Sequence, residues 1–93
     1  MLKTLTLLNG TSGYEDEVIQ EIIKQAKPYC DKILKDSMGN VYAFKKGTES
    51  KKTVALFSHT DEVALVISDI TPEGLLRFRD IGIDSSVLVG KEL

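Results

Sequence analysis

The sequence of 93 residues predicts a single small α/β domain with a mixed sheet. Three observations carry that expectation. Apolar residues recur at helical spacing through the first third of the chain, and a polar turn then separates two β-prone segments. An uninterrupted apolar run, Thr53-Val54-Ala55-Leu56-Phe57, stands past the midpoint. The expected order is two helices, a hairpin, a buried central strand and a strand pair, an arrangement that α/β and α+β layers share.

Each element has a local reason. Leu2, Leu5 and Leu8 give a short helix one apolar edge, and Gly10 is the expected left-handed stop. Ser12 and Glu15 fit a capping box, in which the hydroxyl and the carboxylate satisfy each other's backbone amides, so a helix is expected to start near Gly13. Val18, Ile19, Ile22, Ile23 and Ala26 fall on one face and Glu17, Gln20, Glu21, Lys24 and Gln25 on the other, until Pro28 discourages continuation. From Ile33 the pattern becomes strand-like. Asp36-Ser37-Met38-Gly39-Asn40 reads as a turn and Val41-Tyr42-Ala43-Phe44 as the returning strand. The run from Thr53 to Phe57 has the composition of a strand buried on both faces. Ala64 to Ile70, the turn Thr71-Pro72-Glu73-Gly74 and Leu75 to Arg79 complete the series as a second antiparallel pair.

Composition narrows the function. With 12 basic and 14 acidic residues the net charge is -2, which argues against a nucleic-acid partner, since phosphate binding calls for a basic excess. No apolar run approaches the roughly 20 residues of a membrane-spanning helix, so no membrane partner is expected. The single cysteine, Cys30, cannot close an internal disulfide, and the opening MLKTLTLLNG is too short in its apolar part for a secretory leader. A cytoplasmic location is the expectation that follows.

The candidate chemistry lies in Phe57-Ser58-His59-Thr60-Asp61-Glu62-Val63, which holds the only histidine. Open α/β sheets keep their sites at the carboxyl ends of strands. If the strand geometry persists for two more residues, His59 and Asp61 share a face. A metal-ligating imidazole usually gives its other N–H to a carboxylate, and Asp61 is placed in sequence to accept it. From the tripeptide alone, a merely polar strand end remains the competing reading. Three other features read as structural: Cys30 as a buried thiol, the lysines at 45, 46, 51 and 52 as a solvated edge, and Val89-Gly90-Lys91 as an incomplete phosphate loop.

Taken in order, GTSGYEDEV at 10–18, DSMGNV at 36–41, SHTDEV at 58–63, GLLRF at 74–78 and VLVGK at 87–91 closely resemble the amino-terminal part of the M42 metallo-aminopeptidases. That family includes glutamyl aminopeptidases and proteins often labelled endoglucanases. The resemblance implies that residues 1–93 are a partial catalytic domain, with 87–93 starting the crossing to a missing small β domain. It implies His59 as a ligand to one of two divalent metal ions, zinc or cobalt, and Asp61 as the catalytic carboxylate that orients it. Peptides are the implied substrates, attacked by metal-activated water, and the full-length protein is the implied homo-oligomer. The family's remaining ligands and its general base lie further along a longer chain, so the 93 residues alone are expected to be inactive and without metal. Two other readings stand beside this one: a non-catalytic remnant that self-associates through an exposed apolar surface, and a glycan hydrolase. The chain departs from the family pattern at Thr11, where relatives commonly carry proline, and around Ile81-Gly82-Ile83 and Ser86.

Overall fold

The computed structural model describes residues 2–49 and 52–92. Helix α1 spans Leu2–Leu5 and helix α2 spans Asp16–Ala26. A 3₁₀ turn at Lys27–Tyr29 carries the chain through Pro28, and strands β1 (Lys32–Lys35) and β2 (Val41–Phe44) follow. Strands β3 (Ala64–Ile70) and β4 (Leu76–Ile81) come next, and a second 3₁₀ turn occupies Ser85–Leu88.

The amphipathic pattern of α2 translates directly into packing. Among the described residues Val18 and Ile19, each 5% exposed, are the buried hydrophobic ones, and Ile22 and Ile23 are half-buried beside them. The helix lies against β2, and Ile19 Cδ1 would meet a Cβ at Gly39 at 3.6 Å. The helix starts three residues later than the capping box predicts. Gly13 sits at φ 87° in a turn closed by Tyr14 N–H to Thr11 O at 2.8 Å, a conformation no helix admits. Nor is Gly10 a left-handed stop. Its φ is not positive, and it is instead buried in a close approach of backbones.

Hairpin β1–β2 pairs Lys32 with Phe44, Ile33 with Ala43, Leu34 with Tyr42 and Lys35 with Val41. Asp36 organises its loop. Oδ1 accepts the Met38 and Asn40 amides, both at 2.9 Å, and Oδ2 accepts Asn40 Nδ2 at 2.9 Å and the Tyr42 hydroxyl at 3.1 Å. These donors hold the Asp36 carboxyl below its ordinary range, Asn40's side chain contributing most, and the same carboxylate pushes the Tyr42 hydroxyl up.

Hairpin β3–β4 runs from Ala64 opposite Ile81 to Ile70 opposite Leu76, with one irregularity between Ile67 and Asp69. Ser68 is the extra residue. Paired residues share a face, so Leu65, Ile67 and Ile70 join Leu76, Phe78 and Asp80 on one side. Asp69 joins Ala64, Val66, Arg77, Arg79 and Ile81 on the other, its Oδ2 3.9 Å from Arg77 Nε. Strict alternation would have put Asp69 among the apolar residues and Ile70 among the arginines; the bulge corrects both.

Two expectations fail here. The two sheets are separate antiparallel pairs, so among the described residues there is no mixed sheet, and the parallel pairing is confined to an isolated bridge between Thr11 and Glu62. Residues 53–57 form no strand and are not buried: Val54, Leu56 and Phe57 are all largely exposed. A central strand exists only through neighbours on both edges, and each hairpin here pairs with itself. The accessible surface reflects this. It amounts to 8391 Å², against about 5,400 Å² for a folded monomer of this mass. The radius of gyration is 18.2 Å, where about 12 Å is usual for the length.

Candidate functional site

His59 and Asp61 lie in the segment that leads into β3, just before the bridge residue Glu62. Nothing regular holds this segment from within. It is held from the opposite end of the sequence, by Glu62 N–H donating to Gly10 O at 2.8 Å and by Ser12 Oγ donating to Asp61 Oδ2 at 2.5 Å. A side chain at Gly10 would crowd the approach: a Cβ there would meet Val18 Cγ2 at 3.2 Å, with Thr60 O at 3.5 Å and Glu62 Oε1 at 3.6 Å in ordinary contact.

The structure brings His59 and Asp61 together. His59 Nδ1 is 3.0 Å from Asp61 Oδ1 and 3.0 Å from Asp61 O. Both oxygens only accept, so the arrangement is satisfied when Nδ1 carries the proton and donates, which leaves the lone pair on Nε2. The ring itself is largely exposed. The Asp61 carboxyl lies below its ordinary range, first because Ser12 donates to it and second because His59 does.

This donor set fits a metal in one respect. An imidazole oriented by a carboxylate through Nδ1, with Nε2 free and open to solvent, is the form in which histidine ligates divalent ions. The fit ends at one ligand, because among the described residues no group of three His, Cys, Asp or Glu side chains converges to hold an ion. Two surface hollows among the described residues lie elsewhere. One is lined by Leu8, Gln20 and Lys24 among others, a second by Ile23, Cys30 and Ile33, and neither includes His59. Cys30 is half-buried in the second and is a free thiol.

Sequence reasoning missed Ser12 and Gly10. Ser12 was expected to cap α2, yet Glu15 occupies the cap position and no side chain caps the helix. Glu15 Oε1 accepts the Gly13 amide at 2.7 Å in place of the Ser12 amide that the box calls for, while the hydroxyl turns to Asp61, 49 residues away. No local signal announces such a contact.

The family model described as M42 glutamyl aminopeptidase matches residues 39–93. The chain is 39% identical over 82 residues to a protein of Acetivibrio thermocellus named "Putative aminopeptidase", a match covering 88% of this chain and 24% of that protein. It is 34% identical over 83 residues to the lysyl aminopeptidase of Pyrococcus furiosus, covering 88% of this chain and 23% of that one. No solved structure matches. The chain belongs to the M42 peptidase family, and it spans about a quarter of the length of these curated relatives. No helix among the described residues is long and apolar enough to cross a membrane.

Proposed function

We propose that these residues are the amino-terminal part of a metal-dependent aminopeptidase, in which His59 supplies one metal ligand through Nε2 and Asp61 fixes its orientation. The observation that carries this is the 3.0 Å contact of His59 Nδ1 with Asp61 Oδ1, inside the segment that matches the family. It supports a ring whose ligating nitrogen is predefined. The names of the relatives support removal of amino-terminal residues from peptides. Divalent ions, zinc or cobalt in this reading, supply Lewis-acid polarisation of the scissile carbonyl and a lowered pKa for the attacking water. The chain's own contribution is narrower. Asp61 holds the proton on Nδ1 and prevents the ring from turning, and the Gly10–Glu62 backbone contact keeps both residues at the entrance to β3. The second and further ligands then come from the part of the relatives that this chain does not span, which also makes residues 87–93 the approach to a further domain and assembly into homo-oligomers a property of the longer protein.

Purified 93-residue chain, supplied with zinc or cobalt, is expected to hydrolyse no aminoacyl p-nitroanilide. Chelator-sensitive turnover by that chain would overturn the one-ligand reading. In a longer protein that contains these residues, His59→Ala is expected to remove bound metal and activity together, and unchanged metal content would refute the assignment.

A further inference from the structure

We propose that Ser12 is a positioning residue for His59, acting through Asp61. The inference rests on the reading of His59 as a ligand and adds to it a residue from the far end of the sequence. A carboxylate that bonds through one oxygen still rotates about its own side-chain torsions. Here both oxygens are engaged: Oδ1 receives His59 Nδ1 and Oδ2 receives Ser12 Oγ. The second, charge-assisted bond fixes the plane of the carboxylate, and with it the ring that the first oxygen holds. The need is real, because Asp61 is 41% exposed in its side chain and stands outside β3, where water competes for each oxygen.

Ser12 can do this because its own backbone is held on both sides. The turn from Thr11 to Tyr14, with Gly13 at φ 87°, points the chain into α2, and Glu15 ties down the Gly13 amide. Thr11 forms the parallel bridge to Glu62, so Ser12 and Asp61 flank one junction. The hydroxyl has no helix to cap and is committed to Asp61. In this arrangement the serine acts across the chain, linking the start of α2 to the tautomer of an imidazole.

The experiment is nitrogen NMR of the ¹⁵N-labelled full chain at alkaline pH, where the neutral imidazole has a tautomer to report. The chain's one histidine leaves no ambiguity of assignment. The Nδ1–H form is expected to dominate. Ser12→Ala is expected to lower the ratio of Nδ1–H to Nε2–H about threefold, the weight of one solvent-accessible hydrogen bond, and Ser12→Thr, which keeps the hydroxyl, to restore it. An unchanged ratio in Ser12→Ala, or an equal fall in Ser12→Thr, would overturn the proposal. One measurement needs no variant: the χ1 couplings of Ser12 are expected to report a single rotamer, and averaging over rotamers would also overturn it. Excess zinc tests the ligand reading separately. A His59 signal that ignores zinc counts against that reading while the tautomer data still decide on Ser12.

Discussion

Gly10→Ala probes the junction on which the site depends. The new Cβ would stand 3.2 Å from Val18 Cγ2, where carbon atoms in contact prefer about 3.5–4.0 Å. Val18 cannot easily yield. It is 5% exposed in α2, and a β-branched side chain in a helix has one strongly preferred rotamer. The alternative is to displace Gly10 itself, which pulls its carbonyl from Glu62 N–H, now at 2.8 Å. Overpacking of this kind costs about 1–3 kcal/mol. Against it, the alanine restricts the unfolded chain and returns about 0.4–1 kcal/mol, because φ here is compatible with a side chain. The net expectation is a loss of roughly 1 kcal/mol. Val18→Ala alone removes two methyl groups, about 1.6 kcal/mol at ~0.8 each, before any cavity term. In the double variant Cγ2 is gone and the clash with it, so the two losses are expected to be less than additive by about 1 kcal/mol. Urea unfolding followed by the far-ultraviolet circular dichroism of α2 measures the cycle. Amide exchange of Glu62 N–H reports whether the junction opens. Additivity within about 0.5 kcal/mol, or a Gly10→Ala variant more stable than the parent, would show that Gly10 is not there for space.

The loop of hairpin β1–β2 has a pH window set at its acid end by the Asp36 carboxyl, which the Asn40 side chain lowers most, and at its alkaline end by the Tyr42 hydroxyl, which Asp36 raises. The folded carboxyl of Asp36 lies below its ordinary 3.8, so its contribution is complete above that value and is lost as pH falls through the lower folded one. Tyr42 is raised above its ordinary 10.0, so its contribution is complete below that value and is lost as pH rises through the higher folded one. The Asn40 amide and Tyr42 ring signals are expected to lose their native positions at both extremes, and an acid limb that persists in Asp36→Asn would contradict this. Asp69→Ala removes an exposed pair 3.9 Å long and is expected to change stability by less than about 0.5 kcal/mol in urea unfolding; a loss above about 1 kcal/mol would mean the pair is better formed than its distance indicates.

What the sequence made legible was local. The face of α2 that holds Val18 and Ile19, the turn at Asp36–Asn40 and the span Ala64–Ile70 each follow from a few neighbouring residues. His59 and Asp61 were legible for the same reason, two residues apart with complementary chemistry. Thr53–Phe57 was misread because an apolar run specifies a strand only where other strands accept it, and acceptance is a property of the surroundings. Ser12 was misread because two partners competed for one hydroxyl, and the distant carboxylate prevailed over the nearby amide. The bulge at Ser68 was invisible for a related reason: which residue a strand leaves unpaired depends on its partner, here on Arg77 opposite Asp69.

That single unpaired serine makes β3 a strand whose sidedness changes parity partway along. Before it, odd-numbered positions face the side of Leu76 and Phe78; after it, even-numbered ones do. An edit that removes Ser68 therefore leaves Ile67, Asp69 and Ile70 in plain alternation opposite Phe78, Arg77 and Leu76, and the pairing is expected to survive it, whereas an added residue in the same stretch would set Ile70 or Asp69 on the wrong side. Substitution at this position is expected to be mild as well, because Ser68 has no partner across the hairpin.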